Sequence, residues 1–152
     1  MQSGSIVQRD GSCRLAFPVE EADIDLNGHV NNVVYVEWMQ RAAVAHSDAV
    51  GGTRAMEANG GAWVARRHEI DYRRPAFLED EIVALTWVAD LGRARSLRRY
   101  AFYRSTDSAL LASGRTDWVY LDRASQRPRL IPEEVRACFR IPDREPDPPR
   151  GC

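Results

Sequence analysis

Two hydrophobic rhythms divide the chain. From about Asn31 onward, Val34, Trp38, Ala42 and Ala45 recur at spacings of three and four, the period of a helix with one buried stripe. Further apolar residues (Val33, Val36, Met39, Ala43) widen that stripe, so the helix is expected to be well buried. It should end before the Gly51–Gly52 pair. Later the texture changes. Residues 62–72, 80–90, 94–105 and 109–122 are rich in β-branched and aromatic side chains and are separated by turn signals at Pro75, Leu91-Gly92 and Thr106-Asp107, which predicts four strands. In the last, Leu110, Ala112, Gly114, Thr116, Trp118 and Tyr120 fall on one side, while Ser113, Arg115 and Asp117 fall on the other. That is the pattern of a sheet covered on one face. The small residues at 112 and 114 would let a helix approach closely.

Shorter elements complete the order. "CRLAFPV" at 13–19 reads as a strand ending near Pro18, and 52–61 as an irregular or partly helical link. "IPEEVRACF" at 131–139 reads as a short helix with Pro132 in its first turn. Residues 1–11 read as a flexible lead-in, 12–140 as one domain, and the proline- and charge-rich 141–152 as a disordered tail. Short links between the last four strands favour antiparallel pairing. The expected class is therefore α+β: an antiparallel sheet of about five strands wrapped around one long helix.

Composition narrows the partners. A net charge of −1 argues against nucleic acid or an anionic membrane. Lysine is absent, so all 21 basic residues are arginine; the guanidinium fork suits phosphate, which leaves room for a phosphorylated ligand. Cys13, Cys138 and Cys152 are far apart and odd in number, which fits neither a disulfide framework nor a zinc site. A reducing, cytoplasmic compartment is expected. The first residues lack the apolar core of a signal peptide, and no apolar run approaches the roughly 20 residues of a membrane helix. No metal motif and no serine-nucleophile elbow occurs, and neither metal nor cofactor is expected. His46 and His68 read as ordinary helix and strand residues, and Trp63, Trp87 and Trp118 as packing residues. Of the Arg pairs 66–67, 73–74 and 98–99, only one member each should point outward, because adjacent strand residues face opposite ways.

The exception to this ordinary texture is "DIDLNGHVNNVVY", Asp23 to Tyr35. Two carboxylates, three asparagines, a glycine and a histidine precede the apolar helix. Such residues cap helices and make turns. They also supply general bases and hydrogen-bond donors.

The segment resembles the active-site motif of the hotdog-fold thioesterases, the 4-hydroxybenzoyl-CoA thioesterase-like superfamily. Asp25, Asn27, His29, Val30, Asn31, Asn32 and Tyr35 match the form D-x-N-x-H-V-N-N-x-x-Y, which is similar to that of plant acyl-ACP thioesterases. "IDYRRPAFLEDEI" resembles a second family feature through Tyr72, Pro75 and Asp80, and "IPEEVRACF" a third. The resemblance covers about residues 13–140. Gln40 stands where relatives often carry glutamate, and Pro75 and Ala76 stand where the plant enzymes have acidic and thiol residues.

The resemblance implies hydrolysis of an acyl thioester, with acyl-CoA as the expected substrate. Asp25 would act as general base or nucleophile. The backbone N–H at or near Asn32, at the positive end of the helix, would hold the developing oxyanion. Asn27 either orients the water or Asp25, or forms a turn. His29 either holds the substrate carbonyl or tunes Asp25, or packs beside the helix start. Gly28 would serve either a tight turn or close approach of the ligand, and Val30, Asn31 and Tyr35 would line the substrate site. Asp23 reads as a loop-fixing residue, and Tyr35 and Trp38 as helix-face core residues. Relatives pair two sheets into a homodimer, often a homotetramer, with the site between subunits. The alternatives are an acyl-carrier-protein thioesterase, a hydratase or dehydratase on the same fold, or a non-catalytic acyl-CoA binding module.

Overall fold

The structure, a computed structural model, describes residues 4–150. The first three residues of the expected flexible lead-in, and Gly151 and Cys152 at the end of the expected tail, lie outside the described residues.

The chain forms a six-stranded antiparallel sheet with one long helix on it, the hotdog arrangement. In chain order the strands are β1 (Ile6–Val7), β2 (Cys13–Pro18), β3 (Gly61–Tyr72), β4 (Glu81–Leu91), β5 (Arg95–Arg104) and β6 (Leu110–Asp122). The helices are α1 (Val34–Ala49), α2 (Gly52–Ala58) and α3 (Glu133–Arg136). Spatial order is β1-β2-β4-β5-β6-β3. The long helix thus carries the chain from one side of the sheet to the far edge, and three hairpin-linked strands fill the gap.

The sheet has one strand more than the expected five. The extra strand comes from the lead-in, where Ile6 pairs with Arg14 and Val7 with Cys13. Residues 141–150 carry no helix or strand, although Pro146 is buried. The link at 52–61 is largely helical, as α2.

The core follows from the helical stripe. Tyr35, Trp38, Met39, Ala42 and Ala43 of α1 are all buried against the sheet. Trp38 packs edge-on to Phe17 of β2 (ring centroids 5.3 Å apart) and to Tyr35 (4.7 Å), and it is tilted over Phe102 of β5 (5.9 Å). Offset and edge-on contacts of this kind suit the aromatic quadrupole. Gly114 of β6 lies under Met39 of α1. A Cβ there would lie 3.2 Å from Met39 Sδ and 3.1 Å from the Glu69 carbonyl, so a larger side chain would press on both.

One expectation about β6 is corrected. Leu110 does not share the face of Ala112. The β5–β6 register shifts between Phe102 and Tyr103, and this irregularity turns Leu111 into the helix-facing core while Leu110 packs against the outer cluster of Val83, Leu85, Trp87 and Tyr103. A bulge changes which parity of residues faces inward.

Candidate active site

The polar segment ahead of α1 folds back on itself. Glu21–Asp23 form a 3-10 turn. Ile24 and Val30 then pair across a tight loop, in which Asp25 N–H donates to the His29 carbonyl (3.1 Å) and Gly28 N–H to the Asp25 carbonyl (3.0 Å). Gly28 has φ +82°, a left-handed conformation that glycine adopts without strain. No atom lies within 4 Å of where its Cβ would be. The glycine therefore serves the turn itself, and it does not line the cleft described below. The loop is anchored to the domain by Val30 N–H, which donates to the Ala76 carbonyl (2.9 Å), and by Asn31 N–H, which donates to the Asp23 carbonyl (2.9 Å). Asp23 accordingly has a structural position.

Asn31 caps the approach to the helix: its Oδ1 accepts from Val33 N–H at 3.0 Å, and its carbonyl from Val34 N–H at 3.0 Å. Regular α1 geometry begins at Val34, three residues later than the expected start, because the asparagines take these capping bonds instead. Just ahead of these two capped amides, Asn32 N–H has no hydrogen-bond partner among the described residues. The Asn32 carbonyl accepts from the Tyr72 hydroxyl at 2.7 Å. That bond ties the helix start to the end of β3.

These residues surround one cleft of about 320 Å³. Asp25, Asn27, His29, Val30, Asn32 and Tyr35 line it, and so do Tyr72, Arg73, Arg74 and Pro75. Six of the eight expected site residues are thus brought together. Gly28 and Asn31 are not among the lining residues; they shape the loop from behind. Asp25 is half-buried. Its Oδ1 accepts from Asn27 N–H at 2.8 Å, and Oδ2 has no partner among the described residues. The carboxylate is thereby oriented with one oxygen unused. His29 Nδ1 lies 3.4 Å from the Val30 carbonyl, and its ring meets Phe77 edge-on at 6.5 Å. Tyr35 is buried with its ring against Tyr72 (5.3 Å). Burial, with Tyr72 and Asp80 nearby, pushes its phenol up to about 12, and burial also raises Tyr72. Both phenols stay protonated at neutral pH, and Tyr72 remains a donor to Asn32.

Tyr72, Arg73 and Arg74 were not among the expected site residues. The signal was present in "DYRRP", where a proline ends the strand and leaves two cations beyond it. Both Arg73 and Arg74 are exposed, unlike the alternating pair first expected, because they lie past the last residue of β3. Among the described residues no cluster of His, Cys, Asp or Glu could hold a metal ion.

A carboxylate with an unused oxygen beside an unpartnered amide at a helix start is an arrangement for attack on an ester-type carbonyl. The fold and this motif define a hotdog-class protein of the thioesterase type. The chain belongs to the thioesterase-like superfamily, whose sequence profile matches residues 19–139. It is 24% identical over 140 residues to a chloroplastic palmitoyl-acyl carrier protein thioesterase from Cuphea hookeriana, covering 88% of this chain and 34% of that protein. The chain thus spans about a third of the length of the curated relative it matches. Among solved structures, a 1,4-dihydroxy-2-naphthoyl-CoA thioesterase from Synechocystis superposes with a TM-score of 0.76 at 17% identity, over 84% of this chain and 95% of that one. A Staphylococcus aureus protein solved in complex with CoA superposes with a TM-score of 0.76 at 14% identity, over 91% and 83%. At these identities the likeness concerns the fold.

Proposed function

We propose that the protein hydrolyses an acyl thioester, acyl-CoA first among them, to the free acid and thiol. The observation that carries this reading is the single cleft that holds both the unused Asp25 oxygen and the unpartnered Asn32 N–H. Asp25 acts as general base on a water, or as the nucleophile. The Asn32 amide, at the positive end of α1, stabilises the oxyanion as the carbonyl carbon becomes tetrahedral. The Tyr72 bond to the Asn32 carbonyl holds the following peptide, Asn32–Val33, and so steadies the residue that carries the amide. Asn27 fixes Asp25 through its backbone, and His29 flanks the reacting carbonyl. Arg73 and Arg74 offer cations at the cleft mouth for the phosphates of coenzyme A or of a carrier-protein arm.

The site is completed by a second copy of the chain. Beyond its pairing with β6, the twelve-residue β3 has no further strand neighbour among the described residues, and long open edges are normally covered. Leu26, Tyr72, Phe77 and Leu78, on or near the site loop, are exposed. A homodimer, or a tetramer of two such dimers, would bury these groups. No helix of the described residues is long and apolar enough to cross a membrane. The reading places the enzyme in the reducing cytoplasm, with Cys13 and Cys138 as free thiols.

The test is a panel of aliphatic and aromatic acyl-CoAs and acyl carrier proteins, followed with a thiol reagent. Turnover of at least one class, in a species whose light scattering gives two or four subunits, is expected. Binding of every CoA ester without release of thiol would refute hydrolysis in favour of a binding module.

A further inference from the structure

A second cavity, of about 260 Å³, lies at the other end of α1, between α1, α2 and the sheet. It shares no lining residue with the cleft. Its walls are mostly apolar and include Ala43, Val44, Met56 and Trp63. Two arginines, Arg98 and Arg123, line it, and no carboxylate does.

Arg98 is the unusual member. It sits mid-strand on β5 and is only 5% exposed. A buried guanidinium ordinarily has an anionic partner. Arg98 makes no salt bridge with any described residue. Its Nη1 donates to His46 Nδ1 (2.9 Å) and to Thr86 Oγ1 (3.0 Å). Both acceptors are neutral. Thr86 spends its own proton on the Arg99 carbonyl (3.0 Å). His46 receives at Nδ1, so its proton is on Nε2, and burial with Arg98 beside it holds its pKa down at about 3. Cys13 and Tyr100 are the acidic groups that act on Arg98, and burial raises both, which keeps them uncharged near neutral pH. Nη1 is therefore fully used, while Nε and Nη2 have no partner among the described residues. A full cation thus faces an apolar cavity with donors to spare.

We propose that this cavity binds a compact carboxylic acid with an apolar body, its carboxylate held by Arg98 and its aliphatic or aromatic part against Trp63, Met56 and Val44. The volume is a little below the roughly 300–1,000 Å³ of pockets for drug-sized ligands, which suits a short-chain or single-ring acid. A carboxylate supplies the missing counter-charge, and the planar fork can engage it through two nitrogens. Acids of this class are also what thioester hydrolysis releases, but the binding does not depend on that activity.

Trp63 and Trp118 line the cavity and report occupancy by fluorescence. The full-length protein is titrated at pH 7.5 with phenylacetate and hexanoate, and with their uncharged amides, phenylacetamide and hexanamide. The acids should bind roughly ten- to a hundredfold more tightly than the amides. Arg98→Met should abolish that preference, and Asp25→Asn should leave it intact. Equal affinity for acid and amide, or no acid binding at millimolar concentration, overturns the proposal in the unmodified protein, whether or not Arg98→Met folds. Preference retained in Arg98→Met but lost in Asp25→Asn would put the acid in the cleft and also overturn it. A protein that hydrolyses no thioester yet keeps the Arg98-dependent preference would refute the proposed function alone.

Discussion

The two ends of α1 handle polar groups in opposite ways. At the N-terminal end, Asp25, Asn27 and Asn32 sit on a half-exposed loop, and a backbone amide and a carboxylate oxygen have no partner among the described residues. Water can satisfy both, so the unpaired state costs little until a substrate displaces the water. At the C-terminal end, His46 and Arg98 are buried. There Arg98 is bonded to His46 and Thr86, and His46 Nε2 has no partner within hydrogen-bond geometry among the described residues, although the Gly11 backbone acts on the ring. An unpaired group of that kind costs stability outright. One helix thus has a polar cleft at one end and a mostly apolar cavity with a buried guanidinium at the other.

That contrast can be broken at several points. The largest effect should come from the packing that fixes both ends at once. Trp38, in the second turn of α1 and 1% exposed, touches β2 and β5; Trp38→Ala should lower unfolding free energy by about 3–5 kcal/mol in urea titrations. A loss under about 1 kcal/mol would show that the helix is held by its ends instead.

The buried end should be sensitive to acid. The folded-state pKa of His46 is lowered from 6.5 to about 3. Below pH 6.5 the unfolded chain therefore binds a proton that the folded chain refuses, and stability falls as pH drops toward 3. From pH 7.5 to 5 the loss at this residue should be about 2 kcal/mol. His46→Gln keeps an oxygen acceptor for Arg98 and should remove this slope; parallel slopes in the two proteins would contradict the assignment.

The smallest of these three effects should come from Tyr72. Tyr72→Phe removes the bond to the Asn32 carbonyl and should lower kcat by roughly two- to tenfold, with a stability change under about 1.5 kcal/mol. Unchanged kcat would mean that Asn32 is positioned by the loop alone.

The layout was readable because each element had one dominant period. The α1 stripe and four strand runs were local patterns, and the strand boundaries agree to within one residue. The site segment was readable for a different reason: its residues are contiguous, so a motif brings them into one cleft without long-range folding. What the sequence did not disclose arises between distant segments. Tyr72 meets Asn32 across 40 positions. Arg98 meets His46 across 52. His46 looked ordinary because its partner is a cation on a strand rather than a neighbouring ligand. Alternation alone correctly turned one member of the 98–99 pair inward, but both Arg66 and Arg67 are exposed, since the β3–β6 register shifts between Ala65 and Arg67. Irregularities of that kind leave little trace in composition. The six strands exceed the expected five because Ile6–Val7 is too short to announce itself.

The central claim is that the Asp25 carboxylate in the α1 N-terminal cleft performs the reaction. The direct measurement is kcat for the best acyl-CoA in the unmodified protein and in Asp25→Asn, which preserves the size of the side chain and an oxygen to accept from Asn27 N–H. A fall of about 10²–10⁴ with unchanged thermal midpoint is predicted; full activity in Asp25→Asn would contradict the account.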